Sequence, residues 1–396
     1  MEQSTRKRLC RILLSGIIVS FQLTAWAQVE VPKMPTVIPP SPSAASLGKY
    51  GSIPVSLHTG IPEIRIPLHT IVSGSLQLPI SLNYHAAGFR VSELAPWAGL
   101  GWTLFAGGAI SRSAVGLGDD SGIGFLDPFT TQHAADIGEE DLDFLLSVTR
   151  GTADNESDIY FYNFAGRSGK FVLNDDRQPV LIPREPLDIT YSSSPKGFTI
   201  VTEDGTKYRF FTLETLTAGT YTPDGEESDT YTGTYYLTEI ISADDTDHIN
   251  FNYGSGTPYT INTTDYVEIL GDRCDQSGLS TAQHDFGNTF NFRIISELYL
   301  ESITFAKGSI LFNRASDRTD FGPISRLTEI IVQHETLTDP AVIDKRFTFQ
   351  TGYFPNGAAR LKLNSITELD ASGNSIKKHE FTYNETAALP GHGAVG

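Results

Sequence analysis

The sequence predicts an all-β protein in which antiparallel β-hairpin and meander repeats form a large curled sheet or partial shell, with one short helical insertion. Three observations favour this fold class. Short segments of alternating apolar and polar residues recur along the chain, turn-forming residues separate them, and four self-similar units lie in the C-terminal half. A chain of 396 residues with 39 % hydrophobic content can bury the core that such a sheet requires.

The first 27 residues have the layout of a cleaved secretory signal. Four basic residues between positions 6 and 11 precede the apolar run Ile12–Leu23, and the segment ends at Ala25-Trp26-Ala27. The apolar run is shorter than the roughly 20 residues that span a bilayer. We therefore expect export, with Gln28 as the mature N-terminus and a secreted or cell-surface location. Residues 28–47 form a proline-rich linker.

Charge and cysteine content limit the possible functions. The formal net charge is −18 at pH 7, and removal of the basic signal makes the exported chain still more acidic. Such acidity disfavours nucleic-acid binding and docking to an anionic membrane, because both depend on cationic side chains. Cys274 is the single cysteine after processing, so an intramolecular disulfide is excluded and stability must come from the core.

Residues 48–118 predict an N-terminal β region. Isoleucines frame a short strand within residues 60–67, where Pro62 and Pro67 indicate an edge strand or a strand end. Leu76–Tyr84 alternates strictly between apolar and polar residues, which is typical of a strand with one buried face. Pro96–Arg112 combines two tryptophans with closely spaced glycines, and it lacks the ending of a phosphate-binding loop.

Residues 119–157 predict an acidic insertion that carries the helix, from Glu139 to Arg150. Three acidic residues at positions 139–141 would lie at the positive N-terminal end of its dipole. We expect this segment to form an insertion or a small lid over a sheet edge. The predicted apolar face of the helix consists of Leu142, Leu145 and Leu146.

Residues 158–396 predict β-hairpin repeats. Asp158–Phe164 turns into Lys170–Leu173, and a second hairpin flanks Asp204-Gly205, a dipeptide suited to a primed turn. A self-similar unit then begins with Leu-x-x-Ile and ends on an apolar strand. Its four copies start at Leu237, Leu300, Leu327 and Leu363, and end at Phe251–Tyr253, Ile310–Phe312, Phe347–Phe349 and Phe381–Tyr383.

Each copy predicts a hairpin whose apolar face is too small to fold alone. Adjacent hairpins therefore bury it by pairing edge to edge. Chance recurrence of short apolar patterns is the alternative.

Several motifs resemble those of Rhs/YD-repeat proteins of Gram-negative bacteria, in particular the β-rich N-terminal region of their secreted members. The motif Leu-Gly-Trp-x-Leu with Ile-x-Arg is also similar to the shell-forming B component of insecticidal toxin complexes. The resemblance extends from about Gly48 to the C-terminus, and its motifs are moderately specific because none is a catalytic signature. They are Leu78–Tyr84, Gly99–Leu104, Gly107–Arg112, Asn163–Phe171 and Asp204–Tyr208.

This resemblance implies a non-catalytic structural role. In that family the YD repeats wind into a hollow β-shell around a C-terminal toxin or effector, and the N-terminal region helps to build or plug the shell. The implied function is a shell or plug segment in toxin delivery or interbacterial competition, with a downstream YD-repeat shell and effector as partners. The sequence reaches Gly396 before a run of YD repeats, which favours a truncated or split reading frame over a natural short form.

The search for chemistry assigns no catalytic, cofactor-binding or metal-binding residue. Gly166-Arg-Ser168-Gly169 lacks the last glycine of a nucleophile elbow and falls in a hairpin turn. Cys274 and His284 have no third group to orient them. Three acidic clusters were weighed as calcium sites, and none has the spaced ligand pattern: Asp119-Asp120; Asp154, Glu156 and Asp158; Asp244, Asp245 and Asp247.

Two other functions stay open. One is a stand-alone adhesin or a module that binds a cell-surface glycan or protein. The other is a secreted polysaccharide hydrolase, which needs two carboxylates across a cleft.

Overall fold

The computed structural model describes residues 62–86, 88, 93–127, 142–149, 152–222, 225–268, 286–336, 341–355, 357, 359–386 and 389. They lie within one compact unit that extends from Pro54 to Gly396. The predicted signal (1–27) and linker (28–47) lie outside the described residues, as do Cys274 and His284. The described residues form twenty strands and one helix, and the strands pair in large antiparallel sheets, so the all-β prediction is confirmed.

The first ten strands are β1 (Glu63–Ser73), β2 (Leu76–His85), β3 (Trp102–Phe105), β4 (Gly108–Ser113), β5 (Ile159–Phe164), β6 (Arg167–Leu173), β7 (Pro179–Ile182), β8 (Asp188–Ser193), β9 (Lys196–Val201) and β10 (Lys207–Thr222). The other ten are β11 (Gly225–Ile241), β12 (His248–Ser255), β13 (Tyr259–Glu268), β14 (Phe286–Ile295), β15 (Leu298–Phe305), β16 (Gly308–Ala315), β17 (Arg326–His334), β18 (Val342–Tyr353), β19 (Leu361–Asp370) and β20 (Ser375–Glu380). Helix α1 is Leu142–Thr149. No helix among these residues has the length and hydropathy needed to cross a membrane.

A small sheet contains β1, β2 and β3 in that order. The strand expected within residues 60–67 is longer than predicted, because β1 continues past Pro67 to Ser73 through a β-bulge. β2 departs from strict alternation at Ser81, which is 1 % exposed. Arg65 Nε donates a hydrogen bond of 3.1 Å to Ser81 Oγ, and this bond compensates the burial of the hydroxyl group.

A long hairpin of β10 and β11 is shared by two branches of the large sheet. Along β10, Lys207–Phe210 pairs with β9 and Leu216–Tyr221 pairs with β14. Along β11, Thr234–Tyr236 pairs with β4 and Glu239–Ile241 pairs with β12. One branch is therefore β8-β9-β10-β11-β12-β15-β16-β17-β18-β19-β20, and the other is β13-β14-β10-β11-β4-β5-β6-β7. β4, from the predicted region 48–118, thus pairs with strands of the predicted region 158–396.

A β-bulge occupies the same place in all four copies of the Leu-x-x-Ile unit. Residues three apart on a regular strand point to opposite faces of the sheet. The bulge adds one residue, so both the leucine and the isoleucine face the core. In the third copy, Leu327 and Ile330 are 0 % and 1 % exposed. The extra residue always follows the leucine: Thr238, Glu301, Thr328 and Asn364.

The copies with the sequence Leu-Thr-Glu-Ile share a further contact. Thr238 Oγ1 donates a 2.8 Å hydrogen bond to the carbonyl oxygen of Arg209 on the preceding strand. Thr328 Oγ1 donates a 3.0 Å bond to the equivalent carbonyl of Asn313. Because the register and the side-chain contacts both recur, the repeat is a structural unit and not a chance pattern.

The glycine–tryptophan segment lies against the third and fourth copies. The carbonyl oxygen of Trp97 accepts a 2.8 Å bond from Leu327 N, and Leu100 N donates a 2.8 Å bond to Leu361 O. Gly99, between these two bonds, has a φ of +110° and lies against the backbone of Leu363. The segment therefore holds the copies together through backbone hydrogen bonds.

Trp102 fastens the same segment to the end of the fourth copy. Its indole Nε1 donates a 2.8 Å hydrogen bond to Tyr383 Oη. Its ring centroid lies 4.6 Å from that of Phe381 and 5.0 Å from that of Tyr84. The aromatic pair Phe381 and Tyr383 thus packs on the N-terminal β region. The prediction of a strand at Phe381–Tyr383 is wrong, because these residues follow the end of β20 and leave the sheet for this packing.

The predicted apolar face of the helix is wrong. Phe144 is the buried residue of α1, at 1 % exposure, whereas its three leucines are 61 %, 42 % and 39 % exposed. Successive residues of a helix are about 100° apart around its axis, so the face that buries Phe144 turns these leucines outward. The leucines are Leu142, Leu145 and Leu146.

The predicted primed turn at Asp204-Gly205 is also wrong in type, although the hairpin is confirmed. Gly205 N donates a bond to Thr202 O, and Thr202 N donates a bond to Thr206 O. Gly205 has a φ of +83° and Asp204 has no positive φ. This is a three-residue connection with a glycine bulge, and a two-residue primed turn of type I′ would need positive φ at both central residues.

We expect the bulge of the third copy to be required for stability. Thr328→Ala keeps the bulge and loses one hydrogen bond, so the free energy of unfolding should fall by about 1 kcal/mol. Deletion of Thr328 would turn Leu327 or Ile330 toward solvent, which should cost about 2–5 kcal/mol. Urea unfolding followed by tryptophan fluorescence measures both. Equal losses for the two variants would contradict the role assigned to the bulge.

We expect Gly99→Ala to destabilise the protein more than Gly88→Ala. Both glycines have positive φ, +110° and +94°, so backbone strain affects both variants. A Cβ at position 99 would lie 2.8 Å from Leu363 N, whereas one at position 88 meets nothing within 4 Å. The additional loss at position 99 should be about 1–3 kcal/mol. Thermal unfolding measures both variants. Equal losses of stability would rule out close docking of the glycine–tryptophan segment against Leu363.

Candidate functional site

A buried cluster of charged residues connects the acidic insertion to the large sheet. Arg112 on β4 donates from Nε to Asp158 Oδ2 at 2.5 Å, and both side chains are 0 % exposed. Asp158 N donates to Asp119 Oδ1 and Asp119 N donates to Asp158 Oδ2, at 2.8 and 2.9 Å. Tyr160 Oη adds a 3.0 Å bond to Asp119 Oδ2. These reciprocal bonds fix the start of the insertion against β5.

The carboxylates of this cluster differ in acidity. Burial raises the pKa of Asp119 to about 7, and the neighbouring charge of Asp158 adds to the effect. Burial alone would raise the pKa of Asp120, but the cations of Arg112 and Lys196 outweigh it and lower that pKa. Arg112 Nη1 lies 2.7 Å from Asp120 Oδ1, and Lys196 Nζ contacts the other oxygen. Arg112 and Lys196 are thus the cations that pair with the carboxylates of this cluster.

Asp119, Asp120 and Asp158, which belong to two of the three acidic clusters considered as calcium sites, come together around Arg112. Carboxylates of the third cluster point to separate partners: Ser242 Oγ donates to Asp244 Oδ1 at 2.6 Å, Lys207 Nζ contacts Asp245 Oδ1 at 2.6 Å, and Ser75 N donates to Asp247 Oδ2 at 2.8 Å. Within the described ranges, no group of three or more His, Cys, Asp or Glu side chains is placed to hold a metal ion.

Ser168 lies on a strand of a tight hairpin. Ala165 and Gly166 have φ values of +49° and +76°, as a two-residue turn of type I′ requires. Phe164 pairs with Arg167, and Ser168 pairs with Asn163. This geometry differs from the strand-to-helix turn that exposes the nucleophile of a serine hydrolase.

A cavity of about 320 Å³ lies where the two branches of the large sheet part. The start of β4 and the strand β12 both pair with β11, and their diverging ends form two sides of the cavity. Its glycine side consists of Gly107 and Gly108, and Asn163 contributes an amide. The aromatic residues that line it are Trp97, Phe105, Tyr236, Tyr253 and Tyr299.

Two carboxylates lie at this cavity, which we call the fork pocket. Glu297 lines it, and its Oε2 accepts a 2.5 Å bond from Tyr299 Oη. Glu214 is not itself a lining residue, but it contacts two residues that are. Its Oε2 accepts bonds from Tyr236 Oη at 3.0 Å and Leu298 N at 3.2 Å. Burial raises the pKa of both carboxyls, and the charge of Glu214 further raises the pKa of Glu297.

Sequence reasoning missed this pocket. Glu214 and Glu297 are far apart in the chain, and neither belongs to a recognisable motif. The pattern of Trp97 and the glycines around it favours packing residues over a binding site. Pairing of β10 with β14 brings the two carboxylates together, and no local pattern indicates that pairing.

Comparison of the sequence with known protein families and with curated proteins gave no match. Function therefore has to be inferred from the geometry and from the motifs of the chain itself.

We expect stability to depend on the ionisation of Asp119. Its pKa is raised from 3.8 to about 7, so the folded protein retains a proton that the unfolded chain loses, and ionisation destabilises the fold. This penalty should grow from pH 4 to pH 7 and stay constant above. Asp119→Asn removes it, so the variant should gain on the order of 1–4 kcal/mol relative to the wild type over that range.

Urea unfolding at pH 4, 6 and 8 measures this difference. Asp176→Asn, in an exposed turn, is the control for the change of charge. A constant difference between Asp119→Asn and the wild type across the three pH values would contradict the assignment.

Proposed function

We propose that this chain is a non-catalytic structural segment of an exported Rhs/YD-repeat-like protein, in which it serves as shell or plug. The observation that carries the proposal is the bulged hairpin that occurs four times. Each of the first three copies ends in a strand that pairs with the Leu-x-x-Ile strand of the next copy. An array of this kind extends by repeated addition of one structural step, as a shell made of hairpins requires.

The docking of the glycine–tryptophan segment supports the plug role. Residues 97–102 bind across two neighbouring copies through the backbone of Trp97 and Leu100 and the indole of Trp102. The motifs that resemble the family include this segment and two hairpin turns. They are positions where glycine, tryptophan and turn residues shape the backbone, which fits a structural function.

We place the protein outside the cytoplasm, either secreted or at the cell surface. The N-terminal basic and apolar pattern supports export. Its partners in this proposal are a downstream YD-repeat shell and an effector, in toxin delivery or interbacterial competition. A net charge of −18 argues against a nucleic-acid partner.

The fork pocket favours one alternative, a stand-alone binding module for a cell-surface glycan or another ligand. Aromatic walls and a few polar groups are typical of small-ligand pockets. The same pocket gives less support to a polysaccharide hydrolase. Glu214 already accepts bonds from Thr234, Tyr236 and Leu298, which leaves Glu297 as the carboxylate that faces the pocket.

The DNA that follows the codon for Gly396 tests the structural proposal. We expect the reading frame, directly or after one frameshift, to continue into repeated Tyr-Asp hairpin units and a C-terminal effector. A stop codon followed by an unrelated gene would contradict the shell function and favour the stand-alone binding module.

Export has a separate test. Mass spectrometry of the extracellular fraction should find a mature N-terminus at Gln28. Ala27→Phe should block cleavage, because the signal peptidase requires a small residue there, and Val29→Phe is the matched control on the other side of the site. Recovery of the unprocessed chain from the cytoplasm alone would contradict export.

A further inference from the structure

The fork pocket presents aromatic rings in two pairs. The ring centroids of Tyr236 and Tyr253 are 5.2 Å apart at 35°, and those of Trp97 and Tyr299 are 5.6 Å apart at 52°. Tyr236 and Tyr253 are tied to their neighbours through their hydroxyl groups, so their positions are fixed. The four rings, here called the cage, line a single cavity of about 320 Å³.

The cage comes with carboxylates that form no ion pair with any described residue. The side-chain hydrogen bonds of Glu214 come from hydroxyl groups and one backbone N–H, and the bond of Glu297 comes from Tyr299 Oη. Among the described residues, neither carboxylate forms an ion pair. Both carboxylates are partly buried. Partial desolvation of a carboxylate without a cation is costly, and a cation that enters the pocket would reduce this cost.

Two arginines lie near the pocket, and each forms its ion pair with a carboxylate other than Glu214 and Glu297. Arg318 holds Asp320 at 2.7 Å and donates to Ala95 O at 2.8 Å. Arg314 covers one face of the cage ring Tyr299, at 4.5 Å from the ring centroid, while its Nη2 donates to Ser255 O and pairs with Glu301. Both lower the pKa of Glu297 without reversing the effect of burial.

We propose that the fork pocket binds an organic ammonium group, with its alkyl groups against the cage and Glu297 as the counter-ion. The faces of tyrosine and tryptophan attract a cation, and this attraction is strongest when the cation is desolvated. An alkylated ammonium offers apolar surface to the rings and positive charge to the carboxylate. Binding of an ammonium group does not depend on the proposed Rhs/YD-repeat function.

Other ligand classes fit less well. An anion would meet Glu297 directly and approach a protein of net charge −18. A neutral sugar could stack on the rings, but it would leave the partly buried carboxylate of Glu297 without a counter-charge. A metal ion would need several oxygen ligands, whereas Glu297 is the only carboxylate among the described residues that line the pocket.

Isothermal titration of the full exported chain with choline tests the proposal. The uncharged isostere 3,3-dimethylbutan-1-ol has nearly the same shape, so its affinity measures the contribution of charge. We expect choline to bind at least about tenfold more tightly. Binding should strengthen as pH rises, because ionised Glu297 favours the cation and its pKa is raised by burial. Equal affinities for the two compounds would overturn the proposal.

Variants locate the site. Glu297→Gln should weaken choline binding by about tenfold or more, whereas Glu335→Gln, an exposed position with the same change of charge, should change it by less than about twofold. Tyr253→Leu should also weaken it, since one ring of the cage is lost. If a variant fails to fold, the wild-type comparison of choline with its isostere still decides.

Further titrations separate the sources of the ligand. Vesicles of phosphatidylcholine that bind as choline does would assign a lipid headgroup, and binding of free choline alone would assign a soluble ammonium compound. Cellobiose bound more tightly than choline would overturn the proposal in favour of a glycan. No detectable binding of choline at about 50 mM would also overturn it.

Discussion

The large sheet depends on one constraint, which is the burial of two apolar side chains three residues apart on one strand. A flat strand cannot meet it, because its side chains alternate between faces. The protein meets it with a β-bulge after the leucine of each copy, as at Thr328 and Asn364. A bulge also increases the local right-handed twist. The same short motif therefore determines both what is buried and how each hairpin is turned relative to the one before it.

The hairpin of β10 and β11 determines where the fork pocket lies. Each of its two edges is long enough to pair with two different strands in succession, and each edge has a gap where one partner gives way to the next. On β10 the gap contains Glu214, whose carboxylate accepts from Leu298 N where a strand carbonyl would otherwise serve. On β11 the gap lies between Tyr236 and Glu239. The fork pocket lies at these interruptions, so its place in the fold follows from the topology, and the connections that carry Trp97 and Glu297 complete its lining.

Local pattern predicted strands such as β2, β5 and β9 and the Leu-x-x-Ile strand of each copy, because alternation and turn residues act over a few positions. The spacing of Leu327 and Ile330 already contained the signal for a bulge, since period three contradicts a regular strand. The helix was predicted with the wrong buried face because a single aromatic, Phe144, decided its packing. The fork pocket and the Arg112–Asp158 pair could not be predicted, because strand pairings over long sequence distances bring their residues together.

The buried Arg112 indicates how this fold accommodates an internal cation. Its guanidinium carbon lies 5.6 Å from the ring centroid of Tyr160 and 5.3 Å from that of Tyr231, while Asp158 accepts from Nε. The combination of rings and a carboxylate compensates a desolvated positive charge in an acidic protein. The fork pocket assembles the same components around open space, with Glu297 in the position of the carboxylate. A cation from solution would therefore occupy the fork pocket as the guanidinium group of Arg112 occupies the cluster at the acidic insertion.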